Sequence, residues 1–112
     1  MAALYHNDTV LIPSIEVADS FWSRAIGLMG RRDLAAGHGV WIQPCASIHT
    51  LFMRFPLDVI FLNTELRVVK VVPHLAPWRM AWGGRGTRSV VEVHSGTLAA
   101  LPKPGDQLSI AV

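Results

Sequence analysis

Only one cysteine, Cys45, stands among the 112 residues, so the chain cannot form a disulfide within itself. That fits a reducing compartment. No apolar run approaches the ~20 residues that a membrane-spanning helix requires. The start, MAALYHNDTVLIP, has no basic stretch leading into an apolar core, so no secretory signal is expected. A cytoplasmic location without a membrane partner is the expectation these absences set. Charge is scarce as well: 16% of residues are charged against 51% hydrophobic, which excludes disorder and points to a dense core. The formal net charge is only +2, and the basic residues are scattered apart from Arg31–Arg32 and the loop holding Arg79, Arg85 and Arg88. A nucleic-acid binder of this size would gather them on one face. Nucleic acid is therefore not an expected partner, whereas a small anionic ligand or peptide is compatible with the balance. Repeats, low-complexity tracts and linkers are missing, and so is a strand–GxxxxGK[ST]–helix phosphate loop. One domain over residues 1–112 is expected.

What is present reads mostly as strand. TVLIPSIEVA (Thr9–Ala18) alternates loosely, and Pro13 within it implies an edge or a bulge. DSFWSRAIGLMG (Asp19–Gly30) is the best helix: Asp19 caps its start, Phe21, Ala25, Leu28 and Met29 follow helical spacing, and Gly30 stops it. VWIQP is a short strand. PLDVIFLN and LRVVKVV flank NTE and read as a hairpin. SVVEV is a strand, HSGTLAALP holds one helical turn, and KPGDQLSIAV turns at Pro104–Asp106 into a last strand. The expected architecture is mainly β. It is a compact β-sandwich or partly closed barrel with one flanking N-terminal α-helix and a short second helical turn.

The stretch CASIHTLFMRFPLDVIF (Cys45–Phe61) concentrates reactive side chains in apolar surroundings. As a strand, SIHTLFM puts Ser47, His49, Leu51 and Met53 on one face and Ile48, Thr50 and Phe52 on the other. Both faces are partly apolar, so a strand covered on both sides is expected. Pro56 cannot donate to a ladder and biases Phe55 away from helix, which implies a bend at Arg54–Pro56 before a second strand segment. Asp58 is costly to bury unless paired. Arg54, its neighbour across the kink, either satisfies it as a structural ion pair or is held by it toward an anionic ligand. Cys45 and His49 would lie about 13 Å apart in an extended strand, too far to share a metal. No metal site and no cofactor is expected. The thiol is either a small buried hydrophobe or, with His49 as base, a nucleophile of a hydrolase or transferase.

Two further places offer chemistry. PWRMAWGGRGTR (Pro77–Arg88) interleaves Trp78 and Trp82 with three arginines. Its tryptophans are expected to close one end of the sandwich from within. The alternative is a glycine-hinged flap whose aromatics and arginines stack bases or grip an acidic partner. Glu92 in VVEV is expected to face solvent from an alternating strand, the alternative being a second carboxylate beside Asp58. His38, His74 and His94 are expected at the surface near turns, Gly27 at a close helix–strand contact, and Asp106 in a turn.

RAIGLMGR (Arg24–Arg31), SIHTLFMRFPLDVIFL (Ser47–Leu62), VVEVHSG (Val90–Gly96) and Gly105–Asp106 together resemble the Domain of Unknown Function 192 family of small bacterial and archaeal domains. Many members carry Lys and Asn where this chain has Arg54 and Phe55, so a cationic role survives and one resting on an Asn amide does not. The resemblance implies a mostly β, sandwich-like fold and brings no activity, cofactor or catalytic residue. The functional expectation is a binding module for a small anionic ligand or peptide. Its site would be formed by Arg54 and Asp58 with His49 and Cys45 at the margin and Trp78 and Trp82 in a lid. The alternatives are the Cys45–His49 enzyme and a purely structural or protein-interaction domain.

Overall fold

The computed structural model describes residues 2–18, 37–50 and 53–111. Nine strands lie within them: β1 (Ala2–His6), β2 (Thr9–Ala18), β3 (His38–Ile42), β4 (Ser47–His49), β5 (Leu57–Leu62), β6 (Val68–Leu75), β7 (Met80–Trp82), β8 (Ser89–His94) and β9 (Leu108–Ala111). Seven form a mixed sheet in the order β6-β5-β8-β3-β2-β1-β9, while β4 and β7 pair separately. Only β2–β3 is parallel. The large sheet curls into a half-barrel, as strand twist favours. Its two outermost strands approach at one end, where Arg67 bridges Gln107 and the Val68 N–H donates to the Asp106 carbonyl at 2.8 Å.

The central strands explain themselves. β5 (LDVIFL) is buried at every position and β8 (SVVEVH) at all but the last, because each lies between two neighbours and both faces are covered. Their alternating side chains feed two cores. Leu57, Val59, Phe61 and Val90 join Val40, Ile42, Ile48, Met53 and Phe55 beneath the β4–β7 sheet. Ile60, Leu62, Val91 and Val93 join Leu4, Ile12, Ile15, Val68 and Leu108 on the other face. The β5–β6 hairpin is closed by Asn63, whose side-chain oxygen accepts the Glu65 and Arg67 N–H groups at 2.9 Å each. β6 carries Lys70 and Pro73 along the border of the sheet, residues that discourage edge-to-edge pairing.

Several expectations are met and several are corrected. The mainly β architecture holds, in the form of the partly closed barrel rather than the sandwich: a half-barrel topped by a two-stranded sheet. The expected helix Asp19–Gly30 and the contact at Gly27 lie outside the described residues. Pro13 does mark a bulge: Leu4 faces Ile12 but Ala2 faces Ile15, so β2 carries an extra residue there. It is not on an edge, since β2 lies between β1 and β3. The second helical turn is absent. After β8 the chain makes one turn, Thr97 N–H to His94 carbonyl at 3.0 Å, and Gly96 at φ 91° cannot continue a right-handed helix. The loop Pro73–Arg88 contains the end of β6 and the whole of β7. Residues 51–52 lie outside the described residues, and the strand expected over Ser47–Met53 is shortened to Ser47–His49, covered on one face only.

The two layers are clamped at Gly83, directly after β7. Its N–H donates to the Ala46 carbonyl at 2.8 Å. A Cβ there would sit 2.5 Å from Thr87 Oγ1 and 2.6 Å from Phe61 Cδ1, and Phe61 is fully buried. Gly83→Ala is expected to destabilise the fold by about 2 kcal/mol through overpacking. Urea denaturation would check this, an unchanged midpoint contradicting the clamp.

Candidate functional site

The two-stranded sheet sets up the main surface feature. Ser47 pairs with Trp82, Ile48 with Ala81, and His49 with Met80. Alternation sends Ile48 and Ala81 inward onto the core and the other four outward. Met80 is therefore 77% exposed and Trp82 65%, and Trp78 in the preceding turn is 55% exposed. The expectation that the two tryptophans close the sandwich from within is corrected: the small inward residue of β7 is Ala81, and its large neighbours point outward and are exposed. Met80 was missed in the sequence. Its signal was the large–small–large alternation of Met80-Ala81-Trp82. The span 66–91 contains no acidic residue and five cations, Arg67, Lys70, Arg79, Arg85 and Arg88, all exposed.

Thr50 fastens this sheet and was also missed, because a threonine among apolar residues gives no sequence signal of its own. It is fully buried. Its hydroxyl donates to the Ala76 carbonyl at 2.7 Å and accepts the Arg79 N–H at 2.8 Å. Its backbone N–H donates to the Arg79 carbonyl and its carbonyl accepts the Trp78 N–H. The turn that displays Trp78, at the left-handed φ of 64°, is thus held to the segment leading to Arg54. Arg54 is exposed on that segment, at the bend expected before Pro56.

Arg54 and Asp58 do not satisfy each other. Asp58 is buried, and its carboxylate accepts three hydrogen bonds: from the His74 N–H at 2.8 Å, the Ser95 hydroxyl at 3.2 Å and the Gly96 N–H at 3.2 Å. The first of these is freed by a bulge. Leu57 pairs with Leu75 but Val59 with Val72, so β6 places Pro73 and His74 opposite Asp58, with His74 at φ 49°. Asp58 thereby ties the end of β6 to the turn after β8.

Cys45 and His49 are similarly separated in role. The Cys45 thiol donates to the Ser47 carbonyl at 3.0 Å and its N–H to the Arg88 carbonyl, while the side chain packs against the core under the small sheet. His49 points outward beside Met80, and no hydrogen bond joins the two side chains among the described residues. Gln43–Pro44, just before Cys45, is a cis peptide.

Glu92 departs furthest from expectation. It is 5% exposed, not solvent-facing. Val40 and Val59 stand directly opposite it on the flanking strands, and both belong to the core beneath the β4–β7 sheet. Burial pushes its carboxyl up from 4.5 to about 7. The sequence cue was the run of valines at 90, 91 and 93, which fills both faces of the strand. Asp58 pairs with Val93, so it and Glu92 lie on opposite faces of the sheet and cannot act as a carboxylate dyad. His94 lies half-buried rather than at the surface, stacked on Phe55 with centroids 4.9 Å apart and planes 12° from parallel. Among the described residues no group of three His, Cys, Asp or Glu is placed to hold a metal.

These features define a small domain whose described residues are all β: a half-barrel roofed by a two-stranded sheet that displays aromatic and basic residues. The chain belongs to the DUF192 family, described as "Uncharacterized ACR, COG1430", which it matches over residues 3–110. It is 38% identical to a UPF0127 protein of Pyrococcus horikoshii and 37% identical to one of Pyrococcus furiosus, each over 84% of both chains. Among solved structures it resembles a protein of unknown function from Novosphingobium aromaticivorans, with a TM-score of 0.81, 26% identity and coverage of 96% and 82% of the two chains. It also resembles a putative transcription regulator from Sinorhizobium meliloti, with a TM-score of 0.77, 22% identity and coverage of 96% and 90%. At that last identity the likeness is one of fold.

Proposed function

We propose that this domain is a binding module and that its ligand is an acidic peptide segment lying across the outer face of the β4–β7 sheet. The observation that carries the reading is the outward display of Trp78, Met80 and Trp82 within five residues. Large apolar side chains rarely gather at the surface of a monomer without a partner. Tryptophan and arginine are also the residues that most often dominate binding energy. Charge selects the partner's sign: Arg54 and Arg79 are exposed beside the patch, and the span 66–91 has no carboxylate to oppose an anion. His49 contributes at the centre, opposite Met80. Asp58 and Cys45 belong to the support: one anchors β6 and the other packs below the small sheet.

The test is a titration, followed by tryptophan fluorescence, with a short peptide alternating Glu and Leu and with its Lys–Leu counterpart. The acidic peptide is expected to bind and the basic one not. Trp82→Ala is expected to weaken binding tenfold or more, and Arg54→Ala severalfold with a shallower salt dependence. Equal binding of the two peptides, or an unchanged affinity in Trp82→Ala, would count against the surface. Trp82 is exposed, so its removal leaves the fold intact.

A further inference from the structure

The small sheet has only two strands, so each strand has one unpaired edge. Its hydrogen-bond register fixes which backbone groups those edges carry. The Gly83 N–H donates to the Ala46 carbonyl and the Thr50 N–H to the Arg79 carbonyl, each at 2.8 Å. In an antiparallel ladder bonded and non-bonded pairs alternate. Ile48 and Ala81 are therefore the bonded pair between those two, while Ser47 with Trp82 and His49 with Met80 are non-bonded. The N–H and carbonyl groups of Met80 and Trp82 thus point away from β4. Lys70 agrees with this, because its Nζ reaches the Trp82 carbonyl at 3.0 Å from β6, outside the small sheet. Among the described residues nothing claims the Met80 N–H, the Met80 carbonyl or the Trp82 N–H. Exposed strand edges are commonly blunted by a charge or a proline, as that of β6 is by Lys70 and Pro73. The strand Met80-Ala81-Trp82 carries neither.

We infer that the acidic peptide docks along this edge, adding to the small sheet as a third, antiparallel strand beside β7. This rests on the peptide-binding reading above and supplies its mode of recognition. Strand addition takes affinity from main-chain hydrogen bonds and specificity from alternate side chains. The peptide residue directly opposite Met80 exchanges two hydrogen bonds with it, and the carbonyl two residues earlier accepts the Trp82 N–H. Residues directly opposite each other share a face, so these two peptide side chains lie on the outer face against Met80 and Trp82. They are apolar. The peptide residues between them fall on the other face, turned toward the large sheet. Lys70 waits on that side: it pairs with Phe61, which belongs to the core beneath the small sheet, so the two project the same way. A carboxylate there meets its ammonium. The site therefore selects alternating apolar and acidic residues. It also assigns the backbone, since the N–H groups of the apolar residues face β7 and those of the acidic residues face away.

The probe is the peptide alternating Glu and Leu in three forms: unmodified, N-methylated at every Leu, and N-methylated at every Glu. Each is titrated against the full chain and followed by tryptophan fluorescence. Methylation at Leu blocks the amides that face β7, whereas methylation at Glu adds as many methyl groups to amides that face away. The N-methyl-Leu peptide is expected to bind about tenfold or more weakly than the unmodified one, and the N-methyl-Glu peptide within about threefold of it. Amide hydrogen exchange gives a second readout: the Met80 and Trp82 N–H groups are expected to slow about tenfold or more in saturating unmodified peptide. Equal affinity of the two methylated peptides would overturn strand addition while leaving the binding surface in place. So would unslowed exchange at both amides with the unmodified peptide bound. No binding of the unmodified peptide would overturn both the surface and the strand addition.

Discussion

Between pH 5 and pH 8 the free energy of unfolding is expected to fall by roughly 3 kcal/mol through Glu92 alone, and Glu92→Gln is expected to remove that slope. The sign follows from where the proton sits. Below about pH 4.5 the carboxyl is protonated in both the folded and the unfolded chain and costs nothing. Between 4.5 and about 7 the unfolded chain has lost the proton while the folded chain keeps it, because the buried site disfavours the charge. Folding then takes up a proton, and each unit of rising pH opposes it until the folded carboxyl also ionises near pH 7. For a chain of this length the loss corresponds to about 10 °C in melting temperature. The decisive quantity is the wild-type curve minus the variant curve, from urea melts at four pH values. Gln cannot ionise but still brings two buried donors. The variant should be the less stable protein at pH 5 and the more stable at pH 8. Parallel curves would mean that Glu92 reaches water in the folded state.

The same residue shows where sequence reading stops. VVEV alternates on its own terms, and alternation places Glu92 on a solvent face. What buries it is the position of β8 between β5 and β3, together with the β4–β7 sheet above, and neither pairing is local. The β5–β6 hairpin was legible because its strands are adjacent in sequence and Asn63 closes the turn. The bulge at Pro13 was legible for the same kind of reason, since a proline states its own constraint. β7 was not legible. Met80–Trp82 becomes a strand only by pairing with Ser47–His49 more than thirty residues earlier, and Trp, Arg and Gly around it read as loop. The candidate surface divides along the same line. His49, Arg54, Trp78 and Trp82 could be named from residue type, but their outward direction depends on Ala81 and Ile48 taking the inward places. Asp58 could be recognised as needing partners. That those partners are backbone and hydroxyl groups rather than Arg54 depends on the extra residue in β6, which no pattern in PHLAP announces.

Asp58→Ala is expected to lower stability by about 3 kcal/mol while leaving acidic-peptide affinity within twofold of wild type. The side chain fills three donors at once, and its loss orphans the His74 and Gly96 N–H groups, while the Ser95 hydroxyl keeps the His74 ring Nδ1 at 3.0 Å as a partner. An orphaned donor costs about 1–3 kcal/mol when sealed from water and less where water can replace the carboxylate. His74 and Gly96 border exposed turns, which places the total toward the low end of the sum. Asp58→Asn separates the contributions. Its side-chain oxygen can still accept the His74 N–H, but its amide would meet the Gly96 N–H donor to donor, so a cost of about 1–2 kcal/mol is expected. Peptide affinity distinguishes anchoring from recognition, because a residue that touches ligand loses affinity even where the fold is fully populated. Measured well below the melting transition, Asp58→Ala should bind the Glu–Leu peptide as wild type does, whereas Arg54→Ala should not. A large affinity loss in both, with the folded population unchanged, would return Asp58 to the binding surface and make the kink at Arg54–Pro56 the centre of the site.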